Sequence, residues 1–262
     1  MEDLNLTIPF LSAELTTEIL SRLPVKSLLK FRSVSKSWLA TIANREFIKM
    51  HLSLSANNNN KYKEEHDTHH MLILGINEDK WNFKECTLSS LFFDSVTEAF
   101  DLDSPIKDAT ESTYIVCSCN GLIFLVRSSK SSILWNPTIR KYSYFPGFRR
   151  RWEKTYARYG FGYDEIHNDY KVVGIFHAGS DSGGDSDDVE IQIYSLKSDV
   201  WTNVDGSYRK KRLNGSCLFT TWKLHWNTNT TTNDRIIVSF DLGNEKWETI
   251  EKPSYGEGEW DS

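Results

Sequence analysis

Along the first fifty positions apolar residues recur with a helical period; beyond residue 70 they alternate or cluster as in strands. Leu15, Ile19, Leu20 and Leu23 share one face of a helix that Ser12 caps and Pro24 stops. Val25, Leu28 and Leu29 predict a second, very short helix, and Val34, Trp38, Leu39 and Ile42 a third. Asn44 caps a fourth that carries Phe47 and Ile48, while Glu14, Glu18, Arg22, Lys26, Lys30, Arg32 and Lys36 fall on exposed positions. Residues 53–70, "SLSANNNNKYKEEHDTHH", are almost wholly polar, a linker composition. The pattern thus divides the chain into a helical part (1–52), a polar linker (53–70) and a β-rich part (71–262).

The β-rich part repeats itself. Aromatic residues stand seven apart in "WNPTIRKY" (Trp135/Tyr142), "YDEIHNDY" (Tyr163/Tyr170), "YSLKSDVW" (Tyr194/Trp201) and "FDLGNEKW" (Phe240/Trp247). Turn-forming or charged residues fill each middle, so each pair is expected to meet across a hairpin closed by two or four residues. Runs such as "SSILW", "KVVGIF", "VEIQIY" and "RIIVSF" supply the strands. The first and third pairs start 59 residues apart and the last two 46 apart, periods that suit propeller blades of the kelch kind. An aromatic content of 13%, with nine Trp, favours the same sheet-rich body.

The helical part raises a question of burial. Between residues 15 and 42 it holds twelve large apolar residues. Burying each fully is worth roughly 1.5–3 kcal/mol. Units of below about 40 residues rarely bury enough surface to stand alone. Either the rest of the chain or another protein must cover these side chains.

Charge and cysteine usage narrow the possibilities. A net charge of −5 disfavours nucleic-acid or membrane binding, which want a basic face. No stretch approaches the roughly 20 apolar residues of a membrane span, and the acidic start "MEDLNLTIPFLSAEL" does not read as a signal peptide. Cys86, Cys117, Cys119 and Cys217 form no C-x-x-C pair and read as reduced thiols of a cytoplasmic or nuclear protein.

The segment "LSAELTTEILSRLPVKSLLKFRSVSKSWLATIANREFIKMHL" resembles an F-box. "CSCNGLIFL", "ILWNPTIRKY", "YGFGYDEIHNDYKVV", "VEIQIYSLKSDVWTNV" and "RIIVSFDLGNEKWETI" resemble, in order, the F-box-associated domain of the large plant F-box family, which includes F-box/kelch-repeat and S-locus F-box proteins. The resemblance implies an α+β multidomain chain: a small helical F-box followed by an all-β, propeller-like F-box-associated domain. The latter is expected to be incomplete, because related proteins usually continue beyond the position of "EKPSYGEGEWDS". Ser12 stands where the family usually has Pro, and Ser33 where many members have Cys.

The resemblance also implies a function. F-boxes pack against a Skp adaptor, which joins them to a cullin and a RING subunit in a ubiquitin ligase, and the F-box protein chooses the protein substrate. By motif position the adaptor contact falls on Leu11, Leu15, Ile19, Leu20, Leu23, Pro24, Val25, Leu28, Leu29, Val34 and Trp38, some of which must form the helices' own core. Some members of the family recognise S-RNases in pollen, and others act in defence or hormone signalling. A non-catalytic substrate receptor without cofactor is expected. The alternative is a stand-alone β-repeat binding module whose helices pack on its own sheets.

Other motifs carry blander readings. His66, His69 and His70 sit in the polar linker with no nearby Cys, so a solvated loop is preferred to a metal site. Cys117 and Cys119 share a strand face and read as core. "GFGYDE" has Glu165 where a dinucleotide fingerprint needs its third glycine, and reads as strand and turn. No nucleophile elbow or P-loop occurs, and a propeller-type hydrolase would need carboxylates converging at the blade centre. Two basic clusters, Arg149, Arg150 and Arg151, and Arg209, Lys210, Lys211 and Arg212, read as solvated loops, with an acidic protein partner as the functional alternative. Asp181–Asp188 forms an acidic hairpin loop whose "DSGGDS" matches a phosphodegron, with Ser182 and Ser186 as the acceptors.

Overall fold

Ser12 opens the first helix as its spacing requires. In the computed structural model its side chain accepts a 3.3 Å hydrogen bond from the Leu15 amide, and α1 runs Ala13–Ser21. The structure describes residues 11–57, 70–77, 80–106, 112–127, 131–146, 155–179, 185–204, 213–229 and 235–250. Pro24 ends the first run and stands at the N-cap of α2 (Val25–Phe31). α3 (Lys36–Ala43) is capped by Ser35, whose hydroxyl accepts from the Trp38 amide at 3.1 Å. α4 (Arg45–Asn57) starts at Asn44, whose side-chain oxygen accepts from the Glu46 amide at 2.7 Å. This last helix continues five residues into the polar segment 53–70, through Leu54.

Leu20, Leu28, Ile42 and Phe47 form the core of the helical part, and Leu23, Phe31 and Trp38 pack against it. Phe31 and Trp38 meet edge to face with centroids 5.6 Å apart. The Leu23 carbonyl, which lies between α1 and α2, accepts from His51 Nε2 at 2.8 Å, and this ties α4 to the α1–α2 junction.

β1 (His70–Asn77), β2 (Lys80–Thr87) and β3 (Phe100–Leu102) make a three-stranded sheet in that order. A short helix, α5 (Leu88–Phe93), lies between β2 and β3 in the chain, where only strands are expected. Thr87 starts it by accepting from the Ser90 amide at 3.2 Å. Contact density separates residues 1–73 and 83–102 from residues 74–82 and 103–262.

The remaining strands form three four-stranded antiparallel sheets, each an up-and-down meander of chain neighbours. The first holds β4 (Thr113–Cys119), β5 (Leu122–Arg127), β6 (Ser131–Asn136) and β7 (Lys141–Phe145). The second holds β8 (Thr155–Asp164), β9 (Asp169–Gly179), β10 (Asp185–Ser195) and β11 (Val200–Val204). The third holds β12 (Leu213–Thr220), β13 (Lys223–Asn229), β14 (Arg235–Asp241) and β15 (Lys246–Ile250).

Two apolar layers join the three sheets. Val116, Phe124, Val126 and Phe145 of the first sheet meet Phe161, Val172, Phe176 and Tyr194 of the second. Val173, Ile175, Ile191 and Ile193, on the opposite side of the second sheet, meet Leu224, Trp226, Val238 and Phe240 of the third. The leading strands β4, β8 and β12 pack against one another, as the inner strands of propeller blades do. Gly160 and Gly162 on β8 make this approach possible. A Cβ at 160 would lie 2.6 Å from the Trp226 ring, and one at 162 would collide with Phe219. The architecture is a helical module followed by a β-rich domain of four-stranded antiparallel sheets, an incomplete propeller-like arrangement.

All four aromatic pairs face each other across hairpins: Trp135 with Tyr142, Tyr163 with Tyr170, Tyr194 with Trp201, and Phe240 with Trp247. Three pairs mark the third-to-fourth strand turn of each sheet, which explains the spacings of 59 and 46; Tyr163/Tyr170 marks the first turn of the second sheet. Each loop has four residues, and the last, Arg140, Asn168, Asp199 or Glu245, is left-handed with φ between 51° and 57°. In each, the residue after the first ring supplies a side-chain oxygen to an amide three positions on. The donors to Asn136, Asp164, Ser195 and Asp241 are the amides of Ile139, His167, Ser198 and Asn244.

Candidate functional site

The described residues offer two surfaces that bear on function: the helical module and the end of the β domain where the tight turns gather. On the helices, the eleven residues placed at an adaptor contact divide by burial. Leu20 and Leu28 are buried in the module's own core, and Leu23 and Trp38 are half-buried against it. Leu11 and Val34 are 59% and 58% exposed, and Leu15, Ile19, Pro24, Val25 and Leu29 are also exposed. Leu39, Ile48 and Leu54 add to this apolar surface. Their period was visible in the sequence, but not which side of it faces outward.

Around this surface the charges are mixed. Glu18 and Arg22 pair at 2.9 Å one turn apart on α1, both well exposed, so the pair contributes little to stability. Lys26, Lys30, Arg32 and Lys36 follow without an acidic residue among them. The helical module therefore exposes a set of apolar side chains in a stretch of chain whose charges become basic after α1.

At the tight-turn end the sheets interlock through polar groups. The buried Lys171 ammonium donates to Asp164 Oδ2 and to the Leu242 carbonyl, each at 2.8 Å, and to Glu245 Oε1 at 3.4 Å, joining the second sheet to the third. His167 Nδ1 lies 2.6 Å from Asp164 Oδ2. Burial by itself would raise the Asp164 carboxyl, but the hydrogen bonds from Lys171 and His167 outweigh it and hold the group below its ordinary 3.8. Asp169 accepts from the Ser195 hydroxyl at 2.5 Å and the Lys197 amide at 2.9 Å. Asn120 of the first sheet donates to the Tyr170 hydroxyl at 3.2 Å. Burial, then the bond to Asp199 and its negative charge, push the Tyr194 phenol up to about 12. These carboxylates serve the turns and the joints between sheets; Asp164 and Asp169 each bind a cation or donors.

The cysteines are free and buried. Cys117 and Cys119 share the buried face of β4, in the layer between the first and second sheets. Burial and then the neighbouring Cys117 raise Cys119 to about 12, which keeps it an unreactive thiol. "GFGYD" lies in β8, and Glu165 begins the following turn. Among the described residues there is no group of three or more His, Cys, Asp or Glu placed to hold a metal ion, and no helix is long and apolar enough to cross a membrane.

Several sequence-level candidates lie outside the described residues: Arg149, Arg150 and Arg151; Arg209, Lys210, Lys211 and Arg212; His66 and His69; and Ser182. Ser186 falls within β10, so the acidic stretch is strand in its second half rather than loop throughout.

The described residues thus form a helical module that leaves apolar side chains exposed, followed in the chain by propeller-like four-stranded meanders. Residues 8–50 match the F-box domain, and residues 70–260 match the F-box associated beta propeller domain. The chain belongs to the F-box family with an F-box-associated β-propeller domain. Among curated proteins of Arabidopsis thaliana it is similar to F-box/kelch-repeat protein At3g23880, 26% identical over 93% of this chain and 65% of that protein. F-box protein At4g19940 is 26% identical over 94% of this chain and 61% of its own length. F-box protein CPR1 is 29% identical over 76% and 45%. The chain spans between 58% and 65% of the length of the first three relatives it matches. Among solved structures, a puromycin hydrolase aligns over 70% of this chain and 27% of its own with 7% identity and a TM-score of 0.43, a likeness too slight to bear on fold or activity.

Proposed function

We propose that this chain is the substrate-recognition subunit of a Skp–cullin–F-box ubiquitin ligase. The helical module binds the Skp adaptor, and the β domain binds a protein substrate and performs no chemistry. One observation carries the reading: the F-box helices keep Leu11, Leu15, Ile19, Val25, Leu29 and Val34 in water while their own core is already filled by Leu20, Leu28, Ile42 and Phe47. Burying those six against a partner would contribute roughly 1.5–3 kcal/mol each before the costs of association.

The adaptor contact is assigned to the exposed set; Leu20, Leu23, Leu28 and Trp38 support it from beneath. Co-expression of the full chain with a Skp adaptor tests this on a sizing column. A stable one-to-one complex is expected. A monodisperse chain that elutes without the adaptor would overturn the reading and favour a stand-alone β-repeat module. Affinity purification with the proteasome blocked then identifies the substrate; recovery of an S-RNase would assign the chain to the S-locus branch, and any other protein would assign it elsewhere.

A further inference from the structure

The segment from α5 to the end of β3 does not behave like a surface left to water. Phe92, Phe93 and Val96 are 72%, 85% and 75% exposed, and Leu91 and Phe100 are exposed beside them in the chain. The Phe92 and Phe93 rings touch only edge to face, with centroids 6.5 Å apart. Scattered single apolar residues are normal on a surface, whereas exposed apolar residues gathered together point to an interaction; here five large ones fall within ten positions and two of their rings touch.

Charge selects the partner. From Leu88 to Leu102 the sequence carries Asp94, Glu98 and Asp101 and no Lys, Arg or His. All three acids are exposed, and Lys84 at the flank pairs with Asp101 at 3.1 Å. An acidic rim repels nucleic acid and anionic lipid surfaces. It also disfavours a second copy of this chain, because a two-fold contact would set acid against acid. A protein segment with large apolar side chains among Lys and Arg satisfies both features.

We propose that residues 88–102 form a docking surface for such a basic, amphipathic segment of a partner protein, with Phe92, Phe93 and Val96 as the anchors and Asp94 and Glu98 as the charge filter. The inference stands independently of adaptor binding by the F-box.

The test uses the full chain and fluorescein-labelled 18-residue peptides, read by anisotropy. One peptide places Leu on one helical face and Lys on the other, and a second replaces every Lys by Glu. Saturable binding of the Leu/Lys peptide is expected, at least tenfold tighter than the Leu/Glu peptide. Phe92→Ser with Phe93→Ser should weaken it at least tenfold, and so should Asp94→Lys with Glu98→Lys. Leu11→Ser with Val34→Ser, on the helical face, should leave it unchanged. If the double-serine variant melts early, the charge-reversal variant decides. Absence of saturable binding, equal binding of the two peptides, or loss in the helical-face variant with retention in both patch variants would each overturn the proposal. So would a dimer that the patch variants dissociate, or binding of the chain to phosphatidylserine vesicles through these residues.

Discussion

At the scale of single residues, backbone conformation discloses what composition hides. The β4–β5 turn uses Asn120 and Gly121, both left-handed, the pair best suited to a two-residue hairpin. The equivalent β12–β13 turn places Thr221 and Trp222 at φ 48° and 65°. A β-branched and a bulky residue there cost about 1–2 kcal/mol each. Thr221→Asn with Trp222→Gly should therefore raise stability by about 1–3 kcal/mol in urea unfolding. No helical or strand period announces this strain, because "FTTWKLHW" reads as uninterrupted strand. Asp164 gives a second residue-scale expectation. Its folded carboxyl sits below its ordinary 3.8, so its contribution is present above that value and is lost as pH falls through the lowered one. Asp164→Asn leaves the buried Lys171 ammonium short of its main partner and should cost about 3 kcal/mol at neutral pH. The difference from wild type should shrink in acid melts below pH 3.8.

At the scale of elements, the hairpins were legible and one helix was not. Rings seven apart meet on one sheet face across a loop of two or four residues, and the structure closes all four pairs with four. The oxygen at Asn136, Asp164, Ser195 and Asp241 was present in the same motifs, one position after the first ring. It went unread because its bond runs to backbone within the loop, not across the strands. α5 was missed because "LSSLFF" is too short for a helical period and its rings suit a strand. In the F-box the period located the helices, but a helix with apolar residues on more than one side does not say which side is inner. Burial now separates neighbours. Leu28→Asp buries an unpaired charge and should unfold the helical module, seen as loss of its cooperative melt. Leu29→Asp, on the exposed side, should leave that melt within about 0.5 kcal/mol and abolish adaptor co-elution.

At the scale of the whole molecule, an adaptor that binds only the folded helices stabilises them by mass action. At a concentration 100-fold above its dissociation constant the gain is about 2.7 kcal/mol. Amide hydrogen exchange should show added protection within residues 11–57 and unchanged rates in β4–β15. The three meanders also have a consequence for how the chain is made. Every strand of β4–β15 hydrogen-bonds only with its neighbours along the chain, so no hairpin waits for a distant segment to emerge. Such low contact order favours fast, local closure. During translation, at about 5–20 residues per second, each sheet can zip shut within seconds of leaving the ribosome, and a nascent chain arrested once Val204 has emerged should already protect the first two meanders, whose apolar faces cover each other, from protease.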